Sequence, residues 1–166
     1  PSTTIRDISQ HAKVAEGTLY RYYKSKNEMA WKLFCKETKA FLSGLEENLT
    51  DKQSDFEEKI RNSVTYIYNY YKSYPVNLTF VILSQHSFPA ENLVDVEHNP
   101  YAMLTTFIKN EITAGNVRDA NPVLLSALLY GIVVRPIIIH NYGRIKENPD
   151  NFIDELVYSI TAVLKK

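Results

Sequence analysis

The strongest constraint on the fold lies in residues 4–34, TIRDISQHAKVAEGTLYRYYKSKNEMAWKLF. Apolar positions recur there at helical spacing in two short runs, and a third, longer run begins where they end. Thr4 (or Thr3) suits the N-cap of a first helix carrying Ile5, Ile8 and Ala12 on one side. Lys13 and Val14 make a turn, and Glu16 to Tyr23 form a second short helix. Ser25 followed three residues later by Glu28 is a capping box, which starts a third helix running to about Asn48. Two short helices, a tight turn and a long successor make a helix-turn-helix.

The rest of the chain is also helical by pattern. A helix is expected from about Asp55 to Tyr74, and Pro75 stops or bends it because proline lacks an N–H and restricts the residue before it. Val76 to His86 has the pattern of a short apolar helix, and Phe88 to His98 that of an acidic connector. Three later helices open with one dipeptide: Asn99-Pro100, Asn121-Pro122 and Asn148-Pro149. Asn caps free N–H groups, and proline fits the first helical position, where no donor is needed. Gly115 ends the first of these helices; the other two span about 122–142 and 149–165. The expected fold class is all-α, with residues 1–30 as a helix-turn-helix domain and 31–166 as a helical body. The chain starts at Pro1, partway into the motif, which implies residues upstream.

Net charge is zero, yet unevenly spread. Residues 1–40 hold 8 Lys/Arg against 4 Asp/Glu, and residues 41–166 hold 11 against 15. A basic head on an acidic body suits a head that meets nucleic acid. One cysteine, Cys35, excludes an intramolecular disulfide and a multi-cysteine metal site. No signal peptide is read at the start, and a cytoplasmic location is expected.

A major groove about 12 Å wide admits one α-helix. Ile8, Val14 and Leu19 are placed to lock the two short helices together, leaving Glu16, Thr18, Arg21 and Tyr22 on or near the open side. Gly17 permits close approach of the backbone. Tyr20 and Lys26 reach phosphates, as do the N–H groups of the helix beginning at Thr4, with Arg6 in its first turn. Arg21 reads guanine or binds phosphate, and Glu16 accepts from cytosine N4. Leu19 and Tyr23 are better placed as core.

These residues resemble the TetR family of transcriptional regulators. The likeness rests on Thr4-Ile5-Arg6-Asp7-Ile8, Val14, Gly17-Thr18-Leu19-Tyr20, Tyr22-Tyr23, Lys24-Ser25-Lys26 and Glu28-Met29, ungapped. Two features depart from the family pattern: Lys13 stands where a glycine is frequent, and the helix that precedes the motif is absent from this chain. The resemblance implies a homodimer with an N-terminal DNA-binding domain and a C-terminal effector-binding and dimerisation domain. Family members are mostly repressors released from a pseudo-palindromic operator by a small molecule.

In the body, Tyr66, Tyr70, Tyr74, Phe80, Tyr101 and Phe107 are the candidate effector contacts. Any one of them is more simply core packing, but as a group they favour an apolar or aromatic effector. Val123 to Ile139 is apolar around most of its circumference and falls short of a membrane span of about 20 residues. It must be buried on most sides. With the final helix it suggests a four-helix dimer interface through Leu128, Ile132, Phe152, Leu156, Ile160 and Val163. His86, His98, Asp95 and Glu97 match no metal-ligand spacing, and no metal or cofactor is implied. No nucleophile elbow, phosphate loop or HExxH is present, so an enzyme is not expected. The expected partners are double-stranded operator DNA, a small-molecule effector and a second copy of the chain, with no membrane. The alternative is a helical dimer that binds a ligand or protein and does not act on DNA.

Overall fold

The computed structural model describes residues 3–84, 87–89 and 99–165. The described residues contain no strand, and the fold is all-α. The helices are α1 (Ile5–Ala12), α2 (Glu16–Tyr22), α3 (Lys26–Thr50), α4 (Phe56–Ser73), α5 (Pro75–Ser84), α6 (Pro100–Thr113), α7 (Pro122–Asn141) and α8 (Ile153–Leu164). A 3-10 turn, Pro149–Phe152, leads into α8. The chain divides into two compact units, Pro1–Lys36 and Glu37–Lys166.

Local chemistry sets the helix ends. The Thr4 hydroxyl accepts from the Asp7 N–H, and the Asp7 carboxylate accepts from the Thr4 N–H at 2.7 Å, closing a capping box on α1. A hydrogen bond donated by the Thr4 hydroxyl to the Asp7 carboxylate, together with the one from the Thr4 N–H, holds that carboxyl below its ordinary pKa. Asp55 and Glu58 make a second capping box at α4. At α3 the Glu28 N–H donates to Ser25 Oγ, while the Glu28 carboxylate reaches the Lys24 N–H rather than that of Ser25. Asn99, Asn121 and Asn148 each cap with their side-chain oxygen. Asn148 opens the 3-10 turn, so the regular part of the last helix starts later than its Pro149 suggests. Gly115 has φ +80 just beyond α6, the left-handed conformation that glycine adopts without steric cost.

Pro75 begins α5 as well as ending the run of α4. The expected helix over 76–86 therefore stops at Ser84 within the described residues, and most of the connector over 88–98 lies outside them, with His86, Asp95, Glu97 and His98. Pro136 does not end α7, which continues to Asn141.

The body's core is built from Phe41, Leu42 and Leu49 of α3, Ile60, Val64, Tyr68 and Tyr71 of α4, and Leu125, Leu129, Val133 and Ile137 of α7, closed by Leu156, Ile160 and Leu164 of α8. Two tyrosines of α4 tie it to α7. The Tyr68 hydroxyl donates to the Val133 carbonyl at 3.1 Å, and Tyr71 bonds Asn141 Oδ1 at 2.5 Å and His140 Nδ1 at 2.8 Å. Burial pushes the Tyr68 phenol well above its ordinary pKa, with the nearby Tyr71 adding to the effect.

Candidate functional site

In the N-terminal unit the turn after α1 is made by Lys13, at φ 55 and ψ 41. Its N–H returns to Gln10 and Ser9, and the Val14 N–H to Ser9, so the last carbonyls of α1 are satisfied. Ser9 is buried, its hydroxyl donating to the Arg6 carbonyl at 2.8 Å. No residue of α2 is buried. Tyr20 and Tyr22 are 55% and 60% exposed, and Glu16, Gly17 and Arg21 are exposed as well, while Thr18 and Leu19 are half-buried. Leu19 thus sits on the inner side of α2. Val14 is 40% exposed, so it locks the two helices less completely than its place in the pattern suggests.

Arg21 lies over the Tyr22 ring at 5.1 Å and donates to its hydroxyl at 3.3 Å. A guanidinium held against an exposed ring keeps its remaining donors for an acceptor in solution. Gly17 has open space where a side chain would stand. Lys26 donates to the Thr3 carbonyl at 2.9 Å, joining the start of α3 to the start of α1, where Thr4 and Arg6 are exposed. The nine residues picked from the sequence for DNA contact therefore fall on α1, α2 and the first turn of α3, all fully or partly open to solvent.

The six aromatic candidates of the body are not gathered in one cavity. Tyr66, Tyr70 and Tyr74 form a chain of ring contacts along α4, with Phe41 of α3 against Tyr66 and Tyr70. Tyr101 packs on Tyr130 at 4.9 Å, and Phe107 is buried against Phe56. Phe80 is half-buried on α5. Of the six, Phe107 lines an open cleft of about 560 Å³ with Leu49, Met103, Lys59 and Glu111 among its walls. Sequence reasoning missed Lys59 and Glu111, because their partnership crosses from α4 to α6 and leaves no local trace.

Most of the residues picked for a dimer interface lie against their own protomer's core. Leu156 and Ile160 are 6% and 2% exposed, spent inside their own protomer. Ile132, Phe152 and Val163 pack against the same core, and only Leu128 of the six stands well out. The exposed apolar face is instead Val123, Leu124 and Leu128 on α7, with Tyr158 on α8. Helix α7 is 20 residues long with a mean hydropathy of 2.1, and 28% of that apolar window is buried. By length and composition alone it is sufficient to cross a membrane, a length the expected 123–139 run did not reach.

Residues 1–31 match the family described as bacterial regulatory proteins, tetR family. No curated protein matches the chain by sequence. Among solved structures, the fold is similar to that of the transcriptional regulator FadR from Bacillus subtilis, determined in complex with stearoyl-CoA. That likeness has a TM-score of 0.82 at 17% identity and covers 98% of this chain and 89% of that one. The TetR family transcriptional regulator PfmR from Thermus thermophilus gives a TM-score of 0.76 at 15% identity, over 99% and 90%. AibR, determined with isovaleryl coenzyme A and operator DNA, gives 0.76 at 12% identity, over 96% and 87%. Residues 1–31 thus match the tetR family's model, and the chain as a whole has the all-helical fold of the TetR-family regulators to which it is similar.

Proposed function

We propose that the protein is a ligand-responsive transcriptional repressor and not an enzyme: a cytoplasmic homodimer that holds a pseudo-palindromic duplex operator and releases it when a small apolar or aromatic effector binds the body. The observation that carries this reading is α2, an unburied helix bearing Thr18, Tyr20, Arg21 and Tyr22. An isolated helix of seven residues exposed on this scale has little reason to be retained in a fold unless its outer face meets a partner. Two such helices related by a twofold axis reach successive major grooves when about 34 Å apart.

The exposed apolar face of α7 and α8 supports a second copy there. A helix with apolar residues all round needs cover on all sides, and the protomer covers only part of α7. Gly131 lies on that open side, with no atom within 4 Å of where a Cβ would be, so a partner backbone has room to come close. Self-association of this face gives the four-helix arrangement, two helices from each protomer, and makes α7 an interface rather than a membrane span.

The effector reading draws on the aromatic content of the body and on the two relatives determined with acyl-coenzyme A thioesters. Release needs an effector that prefers the conformation with low operator affinity, with a coupling of about 1–3 kcal/mol. The test is selection of bound sequences from random duplex DNA by the full-length protein, followed by affinity for the selected duplex with and without effector. A palindromic consensus and a drop in affinity support the reading. No enrichment over a non-binding control would leave a ligand-binding dimer that does not act on DNA.

A further inference from the structure

Among the described residues of the body, the cleft between the last turns of α3, the start of α4 and one side of α6 sets a largely covered lysine side chain against open space. Its floor is apolar, made by Leu49 and Phe107, both buried, with Met103 beside them. At one end stand Lys59 and Glu111, whose side chains are 19% and 10% exposed. Their closest approach is 3.6 Å, beyond the 2.7–3.2 Å of an N–H···O bond, so they attract each other without sharing a hydrogen.

The two carboxylate oxygens of Glu111 are unequally served. One accepts from Asn116 Nδ2 at 2.7 Å, which holds the group in place, and the other faces Lys59. The ammonium carries three donors and, among the described residues, has no acceptor within bonding distance. A lysine whose side chain is largely covered, with its donors unmatched by any described acceptor, favours an acceptor that enters the cleft.

Charge selects which acceptor. Lys59 and Glu111 cancel, and Glu46 on the wall leaves the lining with one net negative charge. A carboxylate entering the cleft adds a third negative group near two others. An ammonium must share the space with that of Lys59. A neutral oxygen takes the Lys59 donor and meets neither repulsion.

We propose that this cleft binds an uncharged, largely apolar small molecule through a carbonyl or amide oxygen, which accepts from Lys59 while the apolar body lies on Leu49, Met103 and Phe107. At about 560 Å³ the space is within the usual range for small-ligand sites, roughly 300–1,000 Å³. The inference narrows the effector reading above to one site and one class of head group, and it depends on that reading only for what the binding accomplishes.

The test uses three molecules of one shape: 4-phenylbutanamide, 4-phenylbutanoate and 4-phenylbutylammonium, titrated calorimetrically into the full chain. The amide is expected to bind at least tenfold more tightly than either charged analogue. Met29 and Met103 are the chain's two methionines, so in methyl spectra Met103 is expected to shift with the amide and Met29 to stay. K59M is expected to weaken the amide at least tenfold and, by leaving Glu111 and Glu46 without a counter-charge, to turn the preference toward the ammonium. T106W fills the cleft from an exposed position and is expected to block the amide in a protein of unchanged helix content. Equal binding of the three molecules, or amide binding unaffected by T106W, overturns the proposal. If the amide binds here while random duplex selection yields no consensus, the cleft stands and the repressor reading falls. If an operator is found and released by some other compound while Met103 never moves, the reverse holds.

Discussion

The ring of Tyr66 lies directly over Gly44. A Cβ on Gly44 would stand 2.5 Å from two ring carbons of Tyr66 and 2.6 Å from its hydroxyl oxygen. The ring is held there by its hydroxyl, which donates to the Phe41 carbonyl at 2.8 Å, and by contacts with Phe41 and Tyr70. Glycine at 44 is therefore a packing requirement on α3, which otherwise favours alanine there by about 1 kcal/mol.

That relationship sets the sign of a substitution. G44A forces the Tyr66 ring aside, and overpacking of this kind costs about 1–3 kcal/mol, more than the gain in helix propensity. With Tyr66→Leu already in place the clash is gone, and the same G44A becomes neutral or stabilising by up to about 1 kcal/mol. A double-mutant cycle from urea unfolding midpoints measures the reversal. Additive effects of the two substitutions would remove the packing argument.

Lys13 supplies a second backbone prediction. It is the single non-glycine residue with positive φ among the described residues, and an L side chain in that region costs about 1–2 kcal/mol. Its side chain is exposed, so little is lost by removing it. K13G is expected to stabilise the N-terminal unit by about 0.5–1 kcal/mol, and K13V to destabilise it by at least as much. Amide hydrogen exchange of Ile8 to Val14 reports both.

What was legible in the sequence is what is local. The helix-turn-helix is contiguous, and its caps, turn and third helix are written within about thirty residues. Each Asn-Pro pair announces its helix because cap and first turn are neighbours in the chain. The direction of the apolar helices was not legible. When a helix is apolar on every side, as α7 is, spacing cannot say which side faces the protomer's own core. Leu156 and Ile160 turned inward and Tyr158 outward for reasons that lie in α4 and α7. The aromatic run of α4 was no easier to orient: Tyr66 and Tyr70 pack on Phe41, and Tyr68 and Tyr71 bond α7. The Lys59–Glu111 pair had no signal at all, since two charged residues on separate helices meet only after folding.

The exposed face of α7 and α8 predicts how the protein associates. Leu128→Glu places a charge where the proposed partner covers an apolar surface. Each Leu128 forfeits about 1.5–3 kcal/mol of burial, and twofold symmetry counts it twice. Gly131→Gln removes the room for close approach, and its Cβ meets no atom of the protomer within 4 Å. Both variants are expected to sediment as monomers at micromolar concentration with unchanged helix content, where the parent is a dimer. A monomeric parent, or variants that remain dimeric, would move the interface elsewhere.

Alkaline titration tests the tyrosine core. Tyr66, Tyr68, Tyr70, Tyr71 and Tyr101 are all held above the ordinary phenol pKa, first of all by burial. A group whose pKa is higher folded than unfolded contributes stability that is fully present below the unfolded value, near 10, and is lost as pH rises through the folded one. Stability is therefore expected to fall from about pH 10 upward, with these phenols ionising together as the fold opens. Y68F retains the ring but removes the hydroxyl's bond to the Val133 carbonyl; it is expected to cost about 1 kcal/mol at neutral pH and to flatten the alkaline decline. Twelve tyrosines titrating as one ordinary class in ultraviolet absorbance would contradict this burial.

The outer face of α2 gives the last prediction, conditional on an operator selected as described. Arg21 keeps donors beyond those it gives Tyr22, and a guanidinium reading a guanine edge is worth about 1–3 kcal/mol of discrimination. If Arg21 reads a base, R21A relaxes the consensus at one position in each half-site and leaves the salt dependence nearly as steep. If it binds phosphate, R21A weakens all sequences alike and lowers the salt slope by about 0.9 for each phosphate no longer neutralised. Tyr20→Phe, which removes only a hydroxyl on an exposed ring, is expected to cost affinity evenly across sequences if that hydroxyl meets a phosphate. Affinities of R21A and Y20F for the selected duplex and for scrambled DNA, each at several salt concentrations, separate these roles. Unchanged affinity in both variants would mean that α2 does not face DNA, and the regulatory reading would lose its principal support.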